Sequence, residues 1–243
     1  MQHTFELSPI IAKNVISKPN ISAFFKDIEE ISLINLLKYS DKMRKDRDLT
    51  RSLVSFQGNK NLSSFRWYKF KEAFSADLVQ LIFDRYKINS GTVLDPFAGS
   101  GTTLFSSIEN GLSADGIELL PIGQQIILSR NILTGEFSKD DWNTIESWRI
   151  QRPWKTYNNR KALTTLRITE GAYPLETQVS IEKYLSLLET ESSNVASVLK
   201  FALLCILEEV SFTRKDGQYL RWDSRSGHNE GKIPFNKGKI ESF

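Results

Sequence analysis

The amino-acid sequence predicts an α/β fold with a short parallel sheet, followed by a mostly helical C-terminal region. Residues 75–135 alternate between helical and strand patterns, and this alternation is typical of a parallel sheet with right-handed crossovers. Residues 136–212 show helical apolar spacing and little strand pattern. From these two observations we expect the sheet to be confined to the middle of the chain.

The first 60 residues are predicted to form a helical lead-in. Residues 1–20 have an irregular pattern because prolines interrupt them at positions 9 and 19. Apolar residues then recur at helical spacing from position 24 to position 37, which predicts one helix. The mixed-charge run at 42–48 is typical of a solvated surface, and the sequence GNKNLSS at 58–64 predicts a loop.

The predicted α/β core, residues 61–135, begins with a helix. Ser75 and Asp77 precede an apolar face formed by three side chains, and Gly91 follows the end of the helix, where it suits a stop or a turn. The three apolar side chains are Leu78, Leu81 and Ile82.

Two predicted strands follow, each leading into a helix. The sequence TVLD at 92–95 predicts a short buried strand, and a glycine-rich loop leads from it into a helix that closes at Gly111. SADGIEL at 113–119 predicts the second strand, and residues 121–135 predict the next helix. The sequence therefore predicts a sheet with few strands, whose edges and faces are incompletely covered.

The rest of the chain divides into a helical region at 136–212 and a basic tail at 213–243. The clearest helical segments are 179–192 and 194–212. The tryptophans at 142, 148 and 154 recur every six residues, and we assign them to packing. The tail is rich in Gly, Arg and Lys, with seven basic and four acidic residues.

The loop after the first strand predicts a ligand that contains a nucleoside. Ligands of open parallel sheets bind at the carboxyl ends of the strands, and Asp95 ends the first strand. Gly99 and Gly101 lack the Cβ atoms that would hold a ligand away from the backbone. Glu118 stands 23 residues after Asp95, at the end of the second strand, where an acid can accept both ribose hydroxyls.

Three classes of nucleoside ligand compete for this loop. A triphosphate loop needs a Lys followed by Ser or Thr, but Thr102 follows the last glycine here. A dinucleotide loop needs a third Gly or Ala, and Leu104 stands in its place. S-adenosylmethionine has no phosphate and is cationic, so the carboxylate of Asp95 favours it through charge and hydrogen bonding.

The sequence VLDPFAGSGTT at 93–103 resembles the cofactor motif of the DNA methyltransferases that modify the exocyclic amino group of cytosine (N4) or adenine (N6). The resemblance covers residues 60–135 well and 205–243 loosely. It implies a partial Rossmann-like, S-adenosylmethionine-dependent methyltransferase fold, in which the segment 65–79 folds over the cofactor. The implied cofactor-binding residues are Phe70, Phe74, Asp95, Pro96, Phe97, Gly99, Ser100, Gly101, Thr102, Thr103 and Glu118.

The catalytic tetrapeptide of that family, D/N/S-P-P-Y/F/W, is absent. The chain has seven prolines and no two of them are adjacent, so we assign no catalytic residue. We expect the chain to be the cofactor-binding part of a DNA methyltransferase. A second polypeptide or a C-terminal half would then carry the tetrapeptide, which stacks on the flipped target base. Alone, the chain should have low stability or assemble tightly with that part.

DNA is the expected partner, and the basic tail is the candidate surface for it. Its cations alternate with Tyr219, Trp222 and Phe235, a combination that suits phosphates and bases. A solvated loop is the competing interpretation of the tail. The helical region 136–212 is a candidate for target recognition by analogy, and structural packing is the competing interpretation. The candidate DNA-binding residues are Arg214, Lys215, Arg221 and Arg225.

Two alternative functions remain open at this stage. One is a non-catalytic, methyltransferase-like binding subunit, and the other is a methyltransferase that acts on RNA or on a small molecule. The single cysteine, Cys205, excludes a disulfide framework and is expected in the core, while the two histidines are too few for a metal site. We also expect a cytoplasmic location, because no signal peptide or membrane-spanning apolar run is present.

Overall fold

The computed structural model describes residues 21–40, 42, 46–216, 219–228 and 234–243. The chain forms two compact units, residues 1–48 and 49–243. The first unit contains helix α1 (Ile21–Tyr39), which confirms the helix predicted between positions 24 and 37. The predicted irregular lead-in at 1–20 and residues 43–45 of the charged run lie outside the described residues.

A short 3-10 helix, Phe56–Asn61, occupies most of the segment predicted as a loop at 58–64. The loop prediction is therefore wrong there, because a buried Asn anchors this turn to the next helix. The side chain of Asn59 donates to the carbonyl of Phe74 (2.9 Å) and accepts from the amide of Ala76 (2.9 Å). These bonds fix the segment to the start of α2.

Helix α2 (Ala76–Tyr86) begins where the sequence predicts it, since the Ser75 hydroxyl accepts from the amide of Leu78 (3.3 Å). Its buried face differs from the predicted one. Val79 and Phe83 are buried against Leu112, and Ala76 is buried against Phe65 and Phe105. The predicted face of Leu78, Leu81 and Ile82 is partly or largely exposed. The predicted face and the buried face of α2 are offset by one residue. Only the contact with the rest of the protein decides which of them is buried.

The sheet consists of β1 (Thr92–Asp95) and β2 (Ser113–Gly116), which pair in parallel with Thr92 opposite Ser113. Helix α3 (Thr102–Glu109) is the crossover between them. The parallel arrangement confirms the prediction, but the predicted burial of β1 is wrong. Leu94 is 63% exposed, because no further strand joins this sheet among the described residues.

Helix α4 (Pro121–Asn131) follows β2 and continues into a wider helical turn at Ile132–Glu136. Near its end Arg130 is buried, with its guanidinium carbon 4.2 Å from the ring centre of Phe65 and 3.8 Å from that of Phe105. Burial lowers the pKa of Arg130 to about 10. The cation thus ties the 60–66 segment to helix α3 through two aromatic rings.

The predicted helical region contains α5 (Lys139–Gln151), α6 (Leu175–Leu188) and α7 (Ser193–Ile206). Short 3-10 turns lie at Pro153–Lys155 and Arg167–Thr169. The largest core cluster packs between these helices around Trp148, Ile181 and Tyr184, with Trp154 partly buried against it. None of the described helices is both long enough and apolar enough to cross a membrane.

The tail contains an antiparallel ribbon that the sequence did not predict, β3 (Thr213–Asp216) and β4 (Tyr219–Trp222). A 3-10 turn, Ser224–Ser226, follows it. The residues of the ribbon are mostly polar, so their alternation gives no apolar strand signal. Lys232 of the basic tail lies outside the described residues.

Candidate functional site

The two predicted acids lie at the same edge of the sheet. Asp95 is the last residue of β1, and Glu118 lies two residues beyond the end of β2. Backbone hydrogen bonds continue past the strands, because the amide of Ile117 donates to the carbonyl of Asp95 (2.9 Å) and that of Ala98 to the carbonyl of Ile117 (3.0 Å). The segments that carry both acids are thereby fixed to each other.

A local turn orients each carboxylate. Asp95 Oδ1 accepts from the amide of Phe97 (3.0 Å), and Glu118 Oε1 accepts from the amide of Leu120 (2.6 Å). The side-chain amide of Gln124 in α4 donates to the carbonyl of Glu118 (2.8 Å). The backbone therefore holds both carboxylates at the carboxyl ends of the strands, the edge at which open parallel sheets bind ligands.

The glycine-rich loop between β1 and α3 turns through two left-handed residues, Gly99 (φ +55°) and Gly101 (φ +76°). A Cβ atom at Gly101 would lie 2.9 Å from side-chain atoms of Ile127 and Phe105. Thr102, the first residue of α3, is buried behind the loop. The sequence therefore needs glycine at position 101 for its backbone conformation and for its close packing.

A cavity of about 910 Å³ opens in front of this loop. The segment 68–74 forms another part of its wall and contacts the loop, because a ring atom of Phe70 lies 3.5 Å from the position that a Cβ atom of Gly99 would occupy. Phe97, which is 89% exposed, lies at its open side. Eight of the predicted cofactor residues line the cavity: Phe70, Phe74, Pro96, Phe97, Gly99, Ser100, Thr102 and Glu118.

Three predicted cofactor residues do not line the cavity. Asp95 and Gly101 lie behind the lining residues, in the strand end and in the turn, and Thr103 is in the first turn of α3. The carbonyl of Thr103 accepts from the hydroxyl of Ser107 (2.7 Å). The structure thus brings Asp95 to the base of the loop, whereas Thr103 contributes within its own helix.

Residues at the end of α7 and beyond it form a cavity wall that sequence reasoning missed. Leu204, Cys205 and Glu208 are among them, and Lys215 of β3 adds a cation. Burial raises the pKa of the Cys205 thiol to about 12, so Cys205 serves as an apolar wall residue and not as a nucleophile. These residues lie far from the loop in the chain, and no local pattern marks them.

Gly123, in the first turn of α4, is a second residue that sequence reasoning missed. A Cβ atom there would lie 2.5 Å from the carbonyl oxygen of Gly99 and 2.7 Å from Cγ of Glu118. No real Cβ atom makes contacts this short, so only glycine lets α4 approach both the loop and the acid. Its only sequence signal is a glycine inside a helical pattern.

The predicted DNA-binding cations lie on or next to the β3–β4 ribbon, and most of them have ionic partners in the chain. Lys215 pairs with Glu72 (3.3 Å), and Arg221 pairs with Asp216 (3.3 Å). The remaining two residues differ in their environments. Arg214 is exposed on β3, whereas Arg225 pairs with the buried carboxylate of Asp223 at 2.7 Å.

Residues 13–127 match the sequence model of the N6_N4_Mtase family, which is described as DNA methylase. The chain is 52% identical over 220 residues to the Type II methyltransferase M.AvaI of Nostoc sp. (strain PCC 7120 / SAG 25.82 / UTEX 2576), and equally to that of Anabaena variabilis. Each alignment covers 89% of this chain and 46% of the relative.

A more distant relative is the Type II methyltransferase M.BsoBI of Geobacillus stearothermophilus. It is 36% identical over 209 residues, which are 84% of this chain and 40% of that protein. The chain therefore spans less than half the length of the curated relatives that it matches. No solved structure shows a significant match.

Proposed function

The chain belongs to the family of amino-methylating DNA methyltransferases, and we propose that its cavity binds S-adenosylmethionine for methyl transfer to DNA. One observation supports the ligand most strongly. Glu118, oriented by the Leu120 amide, lines a cavity whose floor is the Gly99 loop. The absence of a Lys in this loop favours a ligand without phosphates.

In this proposal each wall of the cavity has a separate task. The carboxylate of Glu118 accepts hydrogen bonds from the two ribose hydroxyls. Asp95 adds negative charge at the base of the loop, where it favours the cationic amino and sulfonium groups of the ligand. Phe70, which lines the cavity beside the Gly99 loop, covers the bound cofactor and excludes water. We also propose that β1 and β2 belong to a Rossmann-like methyltransferase fold, with residues 61–135 as its cofactor-binding part.

Isothermal titration with S-adenosylmethionine tests the cofactor assignment. We expect saturable binding by the wild-type chain, and binding that is at least about tenfold weaker in Asp95→Asn and in Glu118→Gln, since each loses a charge-assisted interaction of about 1.5–3 kcal/mol. Asp115→Asn is the matched control, because Asp115 is an exposed carboxylate of β2 that does not line the cavity. Equal affinities in all four proteins would refute the assignment.

For the reaction, we propose that this chain supplies the methyl donor side only. The methyl acceptor would be the exocyclic amino group of a cytosine or adenine, and that base would be flipped out of the duplex. The tetrapeptide that holds this base is absent from the sequence. We therefore propose that another polypeptide segment carries it, and that residues 136–212 assist in target recognition. The protein contributes to direct displacement at the methyl group by positioning and electrostatics.

Transfer of radiolabelled methyl groups to duplex DNA tests this division of tasks. We expect no incorporation by the chain alone. Addition of the part of the Nostoc relative that lies outside the aligned region should restore incorporation, because it would complete the sheet and supply the tetrapeptide. Glu118→Gln in the reconstituted mixture is the control and should lower the rate. Full activity of the chain alone would contradict the proposed division.

A further inference from the structure

The β3–β4 ribbon places two arginines directly opposite each other. Arg214 of β3 is the cross-strand partner of Arg221 of β4. Directly opposed residues of an antiparallel pair project on the same face, with Cβ atoms about 4.5–5.5 Å apart. Like charges in such positions destabilise a ribbon, so the stability of the hairpin does not explain this pair.

The chain compensates these two charges only in part. Asp216, on the same face, lies 3.3 Å from a guanidinium nitrogen of Arg221, and the ring centre of Phe235 lies 4.2 Å from its guanidinium carbon. Arg214 is exposed and forms no ion pair with any other residue that the structure describes. Among the described residues, one carboxylate therefore compensates two guanidinium groups on this face, which gives these three side chains a net positive charge.

The other face of the ribbon is fixed to the protein. Thr213 is buried, Trp222 stacks on His228 with ring centres 3.9 Å apart, and Lys215 pairs with Glu72. Lys215 and Glu72 also line the cavity. The ribbon thus borders the candidate cofactor site on one side and presents its arginines to solvent on the other, beside the 79%-exposed Tyr219.

We infer that this outer face binds backbone phosphates of duplex DNA through Arg214 and Arg221. A phosphate between two guanidinium groups removes their repulsion and matches their planar, forked donors. Lys215 and Arg225, which have carboxylate partners of their own, hold the ribbon and the tail in place. This inference rests on the proposed function, because it takes DNA as the substrate.

The salt dependence of DNA binding tests the inference. Fluorescence anisotropy with a labelled duplex gives the association constant of the wild type and of R214Q/R221Q at several salt concentrations. Loss of two phosphate contacts should make the slope of log K against log salt shallower by about 1.8. The affinity advantage of the wild type should then shrink about tenfold between 50 and 200 mM salt.

The double variant K60Q/K87Q is the matched control, because it removes two exposed lysines, one in the 3-10 helix Phe56–Asn61 and one just after α2, with the same change of net charge. It should keep the wild-type slope. Calorimetry with S-adenosylmethionine should give the wild-type affinity for both double variants, which shows that the cavity is intact. The ion pair of Lys215 with Glu72 is left unchanged in this design, because Lys215 is not substituted.

The outcomes separate the inference from the proposed function. A wild-type slope in R214Q/R221Q, or an equal change of slope in K60Q/K87Q, would overturn the inference and leave the proposed function standing. A wild-type chain that binds S-adenosylmethionine but no duplex would overturn the inference and the DNA substrate together. A wild type that binds neither would overturn the proposed function as a whole.

Discussion

Gly123→Ala is expected to weaken the binding of S-adenosylmethionine by at least about tenfold, because displacing Glu118 loses a charge-assisted interaction of about 1.5–3 kcal/mol. The new Cβ atom would lie 2.5 Å from the carbonyl oxygen of Gly99 and 2.7 Å from Cγ of Glu118. The carbonyl belongs to the loop backbone and cannot rotate away. Either α4 or the loop must therefore shift, and the carboxylate of Glu118 shifts with it.

Gly135→Ala is the matched control for this substitution. Apart from its chain neighbours and the backbone of its own helix, no described atom lies within 4 Å of a Cβ atom built at Gly135, so we expect wild-type affinity. Calorimetric titration of both variants gives the affinities, and thermal unfolding shows whether the helix packing has also suffered, at a cost of about 1–3 kcal/mol for overpacking. Wild-type affinity in Gly123→Ala would mean that the contact between α4 and the loop does not set the site.

Asp223→Asn is expected to lower the free energy of unfolding by about 2 kcal/mol, through the loss of charge-assisted hydrogen bonds. The Asp223 side chain is fully buried. Its carboxylate accepts from Arg225 Nε (2.7 Å) and from the backbone amide of Lys237 (2.7 Å). The same side chain therefore joins the ribbon, the turn after it and the last segment of the chain.

The pH dependence of stability should show the contribution of the ionised Asp223 carboxylate. The Arg225 guanidinium, above all, and the backbone amides hold the pKa of Asp223 well below its usual range. A depressed pKa in the folded state stabilises the protein above the unfolded-state value of about 3.9, and this contribution is lost as the pH falls below it. Asp223→Asn should thus flatten the acid limb of the stability curve measured by chemical denaturation.

Asp216→Asn is the control for both measurements. Asp216 is exposed and pairs with Arg221 at the surface, and surface ion pairs contribute little to stability. We expect almost no change in the free energy of unfolding and the wild-type acid limb. If Asp223→Asn were as stable as Asp216→Asn at neutral pH, the buried carboxylate would not be what anchors the tail.

Local chemistry was sufficient to predict the α/β part of the chain. Ser75 at the start of α2, the glycines of the loop after β1 and the short apolar strand are signals contained within a few residues, and each one fixes the backbone where it stands. The positions of Asp95 and Glu118 after the two strands could also be predicted from the sequence. Parallel pairing brings the carboxyl ends of the strands to one edge of the sheet. The order of the elements therefore predicted that Asp95 and Glu118 lie at the same edge.

Tertiary packing decided the rest. Which row of α2 is buried, the exposure of β1, the ribbon in the tail and the cavity wall at the end of α7 all depend on residues distant in the chain. Gly123 shows the reason most directly. In the sequence it is a glycine in a helix, and its importance comes from a 2.5 Å approach to Gly99. The sequence by itself determined the family and the glycine-rich loop after β1, because those are local patterns, whereas contacts between elements exist only in the folded chain.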